Sequence, residues 1–156
     1  MRVHIATDHA AFELKEYLVA ELRTREYEVV DHGADSYDAN DDYPTFVIPC
    51  AEAVAAEPGS LGIVLGGSGN GEQIAANKVK GIRAALAYNP ELAKLGRQHN
   101  NANCVALGGR MQALDQSLAI VLAFLETPWT NEERHARRID MLAKYCLLYT
   151  SDAADE

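Results

Sequence analysis

A run of four glycines in six residues, Gly66 to Gly71, separates an apolar run at residues 61–65 from the helix-forming residues 73–78. An apolar run that is closed by glycine and followed by helix formers predicts a strand, a tight turn and a helix. Glycines let backbone N–H groups crowd around one point, and a helix start adds free N–H groups and a positive dipole end. The stretch therefore predicts a strand–turn–helix unit whose turn can hold negative charge, with the Glu72 carboxylate at its rim.

The same alternation of short apolar runs and helical segments extends along the chain. Strands are predicted at residues 3–6, 28–32, 61–65, 82–88 and 104–107. A helix is predicted after each strand: the second starts at Pro44, and the fourth ends near Gln98, before a polar stop at residues 99–103. A further helix is predicted from about Asn131. Five β–α units predict a parallel sheet covered on both faces. We expect a Rossmann-like three-layer α/β/α sandwich around a five-stranded parallel sheet, with an extra C-terminal helix.

Composition excludes several classes of function. The 156 residues fit one ordinary domain, and the net charge of −9 argues against nucleic acid as a partner. No apolar run approaches the roughly 20 residues of a membrane span, and no signal-peptide pattern is present, so we expect a cytoplasmic protein. The three cysteines, Cys50, Cys104 and Cys146, lie far apart and suggest neither a disulfide framework nor a zinc site.

The last eleven residues, 146–156, read like one translated frame of a transposon-based sequencing adapter. We therefore expect a single domain over residues 1–145 and a non-native tail over residues 146–156. The alternative is a genuine, frayed C-terminal tail.

Polar residues follow three of the predicted strands. Asp8 and His9 follow the first strand, Glu72 follows the third and Arg110 the fifth. Ligands of open parallel sheets bind at the carboxyl ends of the strands, so these residues are candidates for one site. His99 and Asn100 precede the fifth strand and reach this edge only if the fourth helix stops short and its loop folds back. Simpler interpretations exist: Asp8 as a helix cap, Glu72 as a helix-dipole partner, and both histidines as exposed loop residues.

The predicted last helix carries four potential cations in five positions: Arg134, His135, Arg137 and Arg138. Arg134 and Arg138 share a helix face at spacing i, i+4, where like charges repel. A solvated basic face is one interpretation. We favour an anion site, because this is the densest basic patch of an acidic protein and arginine pairs suit phosphate.

Standard phosphate-loop and nucleophile motifs do not fit the glycine stretch. The dinucleotide fingerprint fails because Glu72 stands where its last glycine should be, and no Lys-Ser/Thr pair completes a P-loop. The nucleophile elbow fails at Asn70, so Ser68 is better interpreted as a hydrogen-bond donor. A carboxylate beside an anion cup makes chemical sense if Glu72 removes a proton and the cup holds the resulting negative charge.

Several motifs in order carry a resemblance that extends from residue 1 to about residue 145. They are A-T-D-H-A from Ala6, D-D-Y-P from Asp41, G-I-V-L-G-G-S-G-N-G-E-Q-I-A-A-N-K from Gly62, H-N-N-A from His99, G-G-R from Gly108 and R-H-A-R-R-I-D from Arg134. In these motifs the chain resembles the type B ribose-5-phosphate isomerases, within the group that includes galactose-6-phosphate isomerase subunits. Many members have a cysteine base where Ser68 stands. This chain resembles the actinobacterial-type branch, in which a glutamate at the position of Glu72 is the base.

The resemblance implies interconversion of ribose 5-phosphate and ribulose 5-phosphate through an enediolate, without a metal or cofactor. It implies Glu72 as the base, an enediolate held by Ser68 and the loop, and His99 with Asp8 for ring opening, His135 being the second candidate. The implied substrate contacts are Asp8, His9, Gly67, Ser68, Gly69, Asn70, Gly71, Asn100, Arg110, Arg134, His135 and Arg138. It also implies a homodimer, or a dimer of dimers, with sites shared between subunits. A six-carbon sugar phosphate (galactose or allose 6-phosphate) and a non-catalytic binding module remain the alternatives.

Overall fold

The computed structural model describes the backbone of residues 1–154 and the side chains of residues 1–145. The side chains of the expected tail at residues 146–156, and all of residues 155 and 156, lie outside that range. The strands are β1 (Arg2–Thr7), β2 (Glu28–Asp31), β3 (Leu61–Gly66), β4 (Ala84–Leu86) and β5 (Cys104–Gly108). The helices are α1 (Phe12–Thr24), α2 (Pro44–Ala56), α3 (Asn70–Asn77), α4 (Pro90–Asn100), α5 (Leu114–Glu126) and α6 (Glu133–Ala154). None of the helices in this range is both long enough and apolar enough to cross a membrane.

All strand pairs are parallel, in the order β2-β1-β3-β5-β4. Side chains that alternate along each strand build two cores, one on each face of the sheet. In β5, Val105 and Leu107 pack on the face covered by α1 and α5, whereas Cys104 and Ala106 pack on the face covered by α2 and α3. The predicted three-layer α/β/α sandwich with a five-stranded parallel sheet and an extra helix is thus confirmed.

The edge strand β4 is shorter than the predicted strand at residues 82–88. It pairs with β5 at only three positions. The Asn77 side chain completes the hydrogen bonding at its start: Ala84 N donates to Asn77 Oδ1 at 2.8 Å, and Asn77 Nδ2 donates to Ala84 O at 3.1 Å. An amide side chain from α3 therefore takes the place of a missing neighbouring strand.

The predicted end of the fourth helix is wrong, because α4 continues through Asn100. It ends where Asn101 adopts the left-handed conformation (φ 43°), in which its N–H donates to Arg97 O. The Arg83 guanidinium caps this end by donating to Asn100 O (2.9 Å) and Asn101 O (2.9 Å). Because Arg83 directly precedes β4, the end of α4 lies beside the amino ends of β4 and β5. The condition stated for His99 and Asn100 to reach the carboxyl edge is not met, and they lie at the opposite edge of the sheet.

Candidate functional site

The loops that follow β1, β3 and β5 meet at the carboxyl edge of the sheet. The β3 and β5 loops are joined by backbone hydrogen bonds from Gly109 N to Gly66 O (2.7 Å) and from Arg110 N to Gly67 O (3.1 Å). Together they line an open cavity of about 530 Å³. The lining residues are Asp8, His9, Ala10, Tyr43, Gly67, Ser68, Gly71, Glu72, Arg110 and Met111. The structure thus brings together the residues predicted for this edge, apart from His99 and Asn100.

The glycines of the β3 loop make room for the Glu72 side chain. A Cβ on Gly66 would fall on the Glu72 carboxylate, and a Cβ on Gly71 would lie 2.7 Å from Tyr43 Cζ. Gly69 has φ 88° and begins α3, a backbone conformation that favours glycine. Glu72 is therefore folded back from the first turn of α3 over the end of β3, where only a glycine fits beneath it.

The Glu72 carboxylate is almost removed from water, with 4% of the residue exposed. Burial raises its pKa, the negative charge of Asp8 raises it further, and a hydrogen bond from its own backbone N–H opposes both effects. A carboxylate with a raised pKa holds a proton more firmly than a free one, so it is the stronger base. This is the electrostatic setting expected for a group that accepts a proton.

Asp8 and His9 are held by hydrogen bonds at the end of β1. The Asp8 side chain accepts from Ala10 N (2.9 Å) and so caps the 3-10 turn His9–Ala11 that precedes α1, not α1 itself, and Asp8 also lines the cavity. His9 Nδ1 lies 2.7 Å from Asp41 Oδ1, and His9 N donates to the same oxygen at 3.0 Å. Asp41 raises the pKa of His9, against the effect of partial burial.

Ser68 and Asn70 are engaged mainly with each other. Ser68 Oγ accepts from Asn70 Nδ2 (3.1 Å) and Asn70 N (3.3 Å), while Tyr88 Oη donates to Ser68 O (3.0 Å). The Ser68 hydroxyl hydrogen is thereby free to point into the cavity that Ser68 lines. Gly69 and Asn70 belong to the loop but do not line that cavity.

A second cluster forms where α4 meets α6. The rings of His99 and His135 stack with centroids 4.3 Å apart and an interplanar angle of 16°. His135 is the inner ring, 7% exposed, and its pKa is lowered by burial, by His99 and by Arg134. Arg134 is exposed and lies 3.3 Å from Glu132 through Nη2. Asn100 and Arg138, both exposed, complete this basic cluster.

The basic cluster and the cavity lie at opposite edges of the sheet. The cluster lies beside the amino ends of β4 and β5, whereas the cavity lies at the carboxyl ends of β1, β3 and β5. Five residues of strand β5 separate the two edges by roughly 15 Å. Within one chain, therefore, the structure does not bring His99, Asn100, Arg134, His135 or Arg138 to Glu72.

Three cavity residues and one supporting residue were given no role from the sequence. Ala10, Tyr43 and Met111 line the cavity, and Asp41 contacts His9 from the acidic loop. Asp41 and Tyr43 belong to the D-D-Y-P motif, whose Pro44 starts α2, so the motif did signal this part of the site. Among the described residues, Asp8, His9 and Asp41 are the one group with ligand atoms close enough, within 4.8 Å, for a metal ion.

Comparison with known proteins shows the family and the fold of this chain. A family model described as Ribose/Galactose Isomerase matches residues 3–142. The ribose-5-phosphate isomerase B of Mycolicibacterium paratuberculosis is 57% identical over 145 residues, which cover 93% of this chain and 91% of that protein. The solved ribose-5-phosphate isomerase B of Clostridium thermocellum has a TM-score of 0.91 at 40% identity, over 96% of this chain and 99% of its own. That of Mycoplasma genitalium, solved with bound ribulose-5-phosphate, has a TM-score of 0.89 at 41% identity, over 92% and 95%.

Proposed function

This chain belongs to the ribose/galactose isomerase family, and we propose that it interconverts D-ribose 5-phosphate and D-ribulose 5-phosphate. The observation that carries the proposal is the buried Glu72 carboxylate, folded over Gly66 in a cavity that His9 and Arg110 also line. Simple phosphate binding gains nothing from a buried carboxylate, whereas proton transfer needs a base, and a carboxylate can be that base. We place the reaction in the non-oxidative branch of the pentose phosphate pathway, in the cytoplasm.

The proposed chemistry is a proton transfer between neighbouring carbons of the open-chain sugar. Glu72 takes the proton from C2, the C–H electron pair forms the C1–C2 double bond, and the C1 carbonyl becomes the enediolate oxyanion. After a proton has moved from O2 to O1, Glu72 returns its proton to C1 and leaves a C2 carbonyl. The Ser68 hydroxyl and the backbone N–H of Gly71, two residues that line the cavity, stabilise the oxyanion, which is usually the largest catalytic contribution in such sites.

The basic cluster contains the groups that the cavity of one chain lacks, namely a histidine for ring opening and further arginines for the phosphate. We propose that His99 opens the sugar ring, because His99 is partly exposed while the buried His135 supports it from behind. Arg134 and Arg138 would hold the phosphate with His9 and Arg110, and Asn100 a sugar hydroxyl. Since the cluster lies at the other edge of its own sheet, it would serve the cavity of a second subunit. A two-fold dimer with two equivalent composite sites follows, alone or within a dimer of dimers.

The pH dependence of kcat/KM should report the environment of Glu72. Activity should rise with pH as Glu72 ionises. The midpoint of this rise, the acid limb of the profile, should lie above about 4.3, the pKa of an unperturbed glutamate. Asp8→Asn removes a negative charge that raises the Glu72 pKa, so the limb should move to lower pH, whatever happens to the maximal rate. Asp115→Asn, at an exposed position of α5, should leave it in place. An acid limb that Asp8→Asn leaves unmoved or shifts upward would contradict the assignment of Glu72.

The reaction itself is tested by running ribulose 5-phosphate to ribose 5-phosphate in D₂O. We expect ribose 5-phosphate that carries solvent deuterium at C2, because a carboxylic acid exchanges its proton with solvent. A non-catalytic binding module would bind the sugar phosphate and form no product. Comparing ribose 5-phosphate with galactose 6-phosphate and allose 6-phosphate in the aldose-to-ketose direction tests the six-carbon alternative. We expect a higher kcat/KM for the five-carbon substrate, and the opposite order would reassign the substrate.

A further inference from the structure

Asp41 is buried against His9, although it belongs to an otherwise exposed acidic loop. Its Oδ1 receives both the His9 backbone N–H and His9 Nδ1, at 3.0 and 2.7 Å. Only about 10% of the Asp41 side chain is exposed. Its other oxygen, Oδ2, is buried and has no hydrogen-bond partner among the described residues. A carboxylate held in this way loses hydration, and its charge is balanced mainly through the His9 ring.

We propose that Asp41 is a positioning residue, which fixes the His9 ring with Nε2–H toward the cavity and keeps the ring cationic for the substrate phosphate. The phosphate part of this inference rests on the proposed function. The orientation follows from the geometry: Nδ1 is taken by Asp41, His9 lines the cavity, and Nε2 is the ring nitrogen left for a ligand. A protonated imidazole can give a phosphate a charge-assisted hydrogen bond, which is about twice as strong as a neutral one.

The charges around His9 come from several elements. Asp41 in the acidic loop and Asp8, which directly precedes His9, favour the protonated His9 ring, and Arg110 in the β5 loop opposes its protonation. Tyr37 meets the ring edge-on at a centroid distance of 6.1 Å. The direct contact with Asp41 is the largest of these influences, and the net effect raises the pKa of His9. In the composite site, Arg134 and Arg138 of a second subunit would oppose the cation further, which makes Asp41 more necessary.

The replacement Asp41→Asn removes the negative charge but keeps the shape of the side chain, and its amide oxygen can still accept both hydrogen bonds. We expect the pKa of His9 to fall, as measured by NMR titration of its ring proton, with the signal assigned through a His9→Gln variant. In the titration with inorganic phosphate, affinity should fall about tenfold at a pH between the His9 pKa values of the two proteins, and little at a pH below both, where the ring is protonated in each. For turnover, KM should rise by a similar factor at the same pH between the two His9 pKa values, with kcat within about threefold.

The matched control is Asp42→Asn, which removes the same charge from the neighbouring, exposed position. It should change neither the His9 pKa nor the KM. Three results would overturn the proposal: a His9 pKa at or below about 6.5 in the unmodified protein, an equal pKa in Asp41→Asn, or a KM change that does not depend on pH. The NMR and phosphate measurements need no turnover, so they stand even where the isomerase reaction fails to appear.

Discussion

Replacing Glu72 with glutamine should lower kcat by about 10³-fold or more, while the affinity for ribulose 5-phosphate stays within about threefold of the unmodified value. Glutamine has the volume of glutamate, so it fits over Gly66 and keeps the loop in place. It cannot accept the C2 proton, because its amide is not basic. The predicted loss therefore falls on the chemical step, and substrate binding, which depends on other residues, should survive.

The comparison needs kcat from the isomerisation assay and Kd from calorimetry on the same preparations. Glu91→Gln is a matched control, because Glu91 also lies in the first turn of a helix, α4, but is exposed and away from the cavity. It should leave both quantities unchanged. If Glu72→Gln turned over at a near-normal rate, Glu72 would not be the base and Ser68 would become the candidate again.

The sheet and its layers were predictable because strand alternation is a local property. In β5, for example, the apolar residues Val105 and Leu107 lie on one face, and Cys104 and Ala106 lie on the other. Both faces of the sheet must therefore be covered by helices, whichever strands pair with β5. The length of β4 was not predictable in this way. An edge strand has one partner, and its start is completed by Asn77, a residue of a different element.

The part of the site that lies in the cavity was also predictable from local sequence. Asp8, His9, Glu72 and Arg110 directly follow strands, and parallel strands bring their carboxyl ends to one edge. The folded-back position of Glu72 was not visible in the sequence, because it depends on the space above Gly66.

His99 shows where local reasoning failed. The polar run from His99 indicated the end of a helix, but the actual end is set by the left-handed Asn101 and by Arg83, which caps α4 from 17 positions away in the chain. Because α4 connects the parallel strands β4 and β5, its last residues, His99 and Asn100, lie at the amino edge of the sheet. The condition for His99 and Asn100 to reach the Glu72 edge of their own chain is therefore not met, and the proposed sharing between subunits would account for His99 as well as for the arginines.

The second large effect is a recovery of activity between two inactive proteins. One carries Glu72→Gln and keeps an intact basic cluster, and the other carries Arg134→Ala with Arg138→Ala and keeps an intact cavity. Each alone should be nearly inactive. In a heterodimer, one composite site combines the intact cavity of one subunit with the intact basic cluster of the other, while the second site has both defects. A purified heterodimer should thus regain about half the activity of the unmodified dimer.

The control pairs two defects from the same half of the site, Glu72→Gln with Arg110→Ala. No composite site in that heterodimer combines two intact halves of the machinery, so activity should not exceed what Arg110→Ala alone retains. Both mixtures are made with differently tagged subunits, and the heterodimers are isolated before assay.

The most direct test of the two-subunit site is the activity of the isolated heterodimer of Glu72→Gln with Arg134→Ala/Arg138→Ala. We predict about half of the unmodified rate per dimer, with no recovery in the Arg110→Ala control. A verified heterodimer as inactive as its two parents would show that cavity and basic cluster do not work across a subunit boundary, and would contradict the composite site.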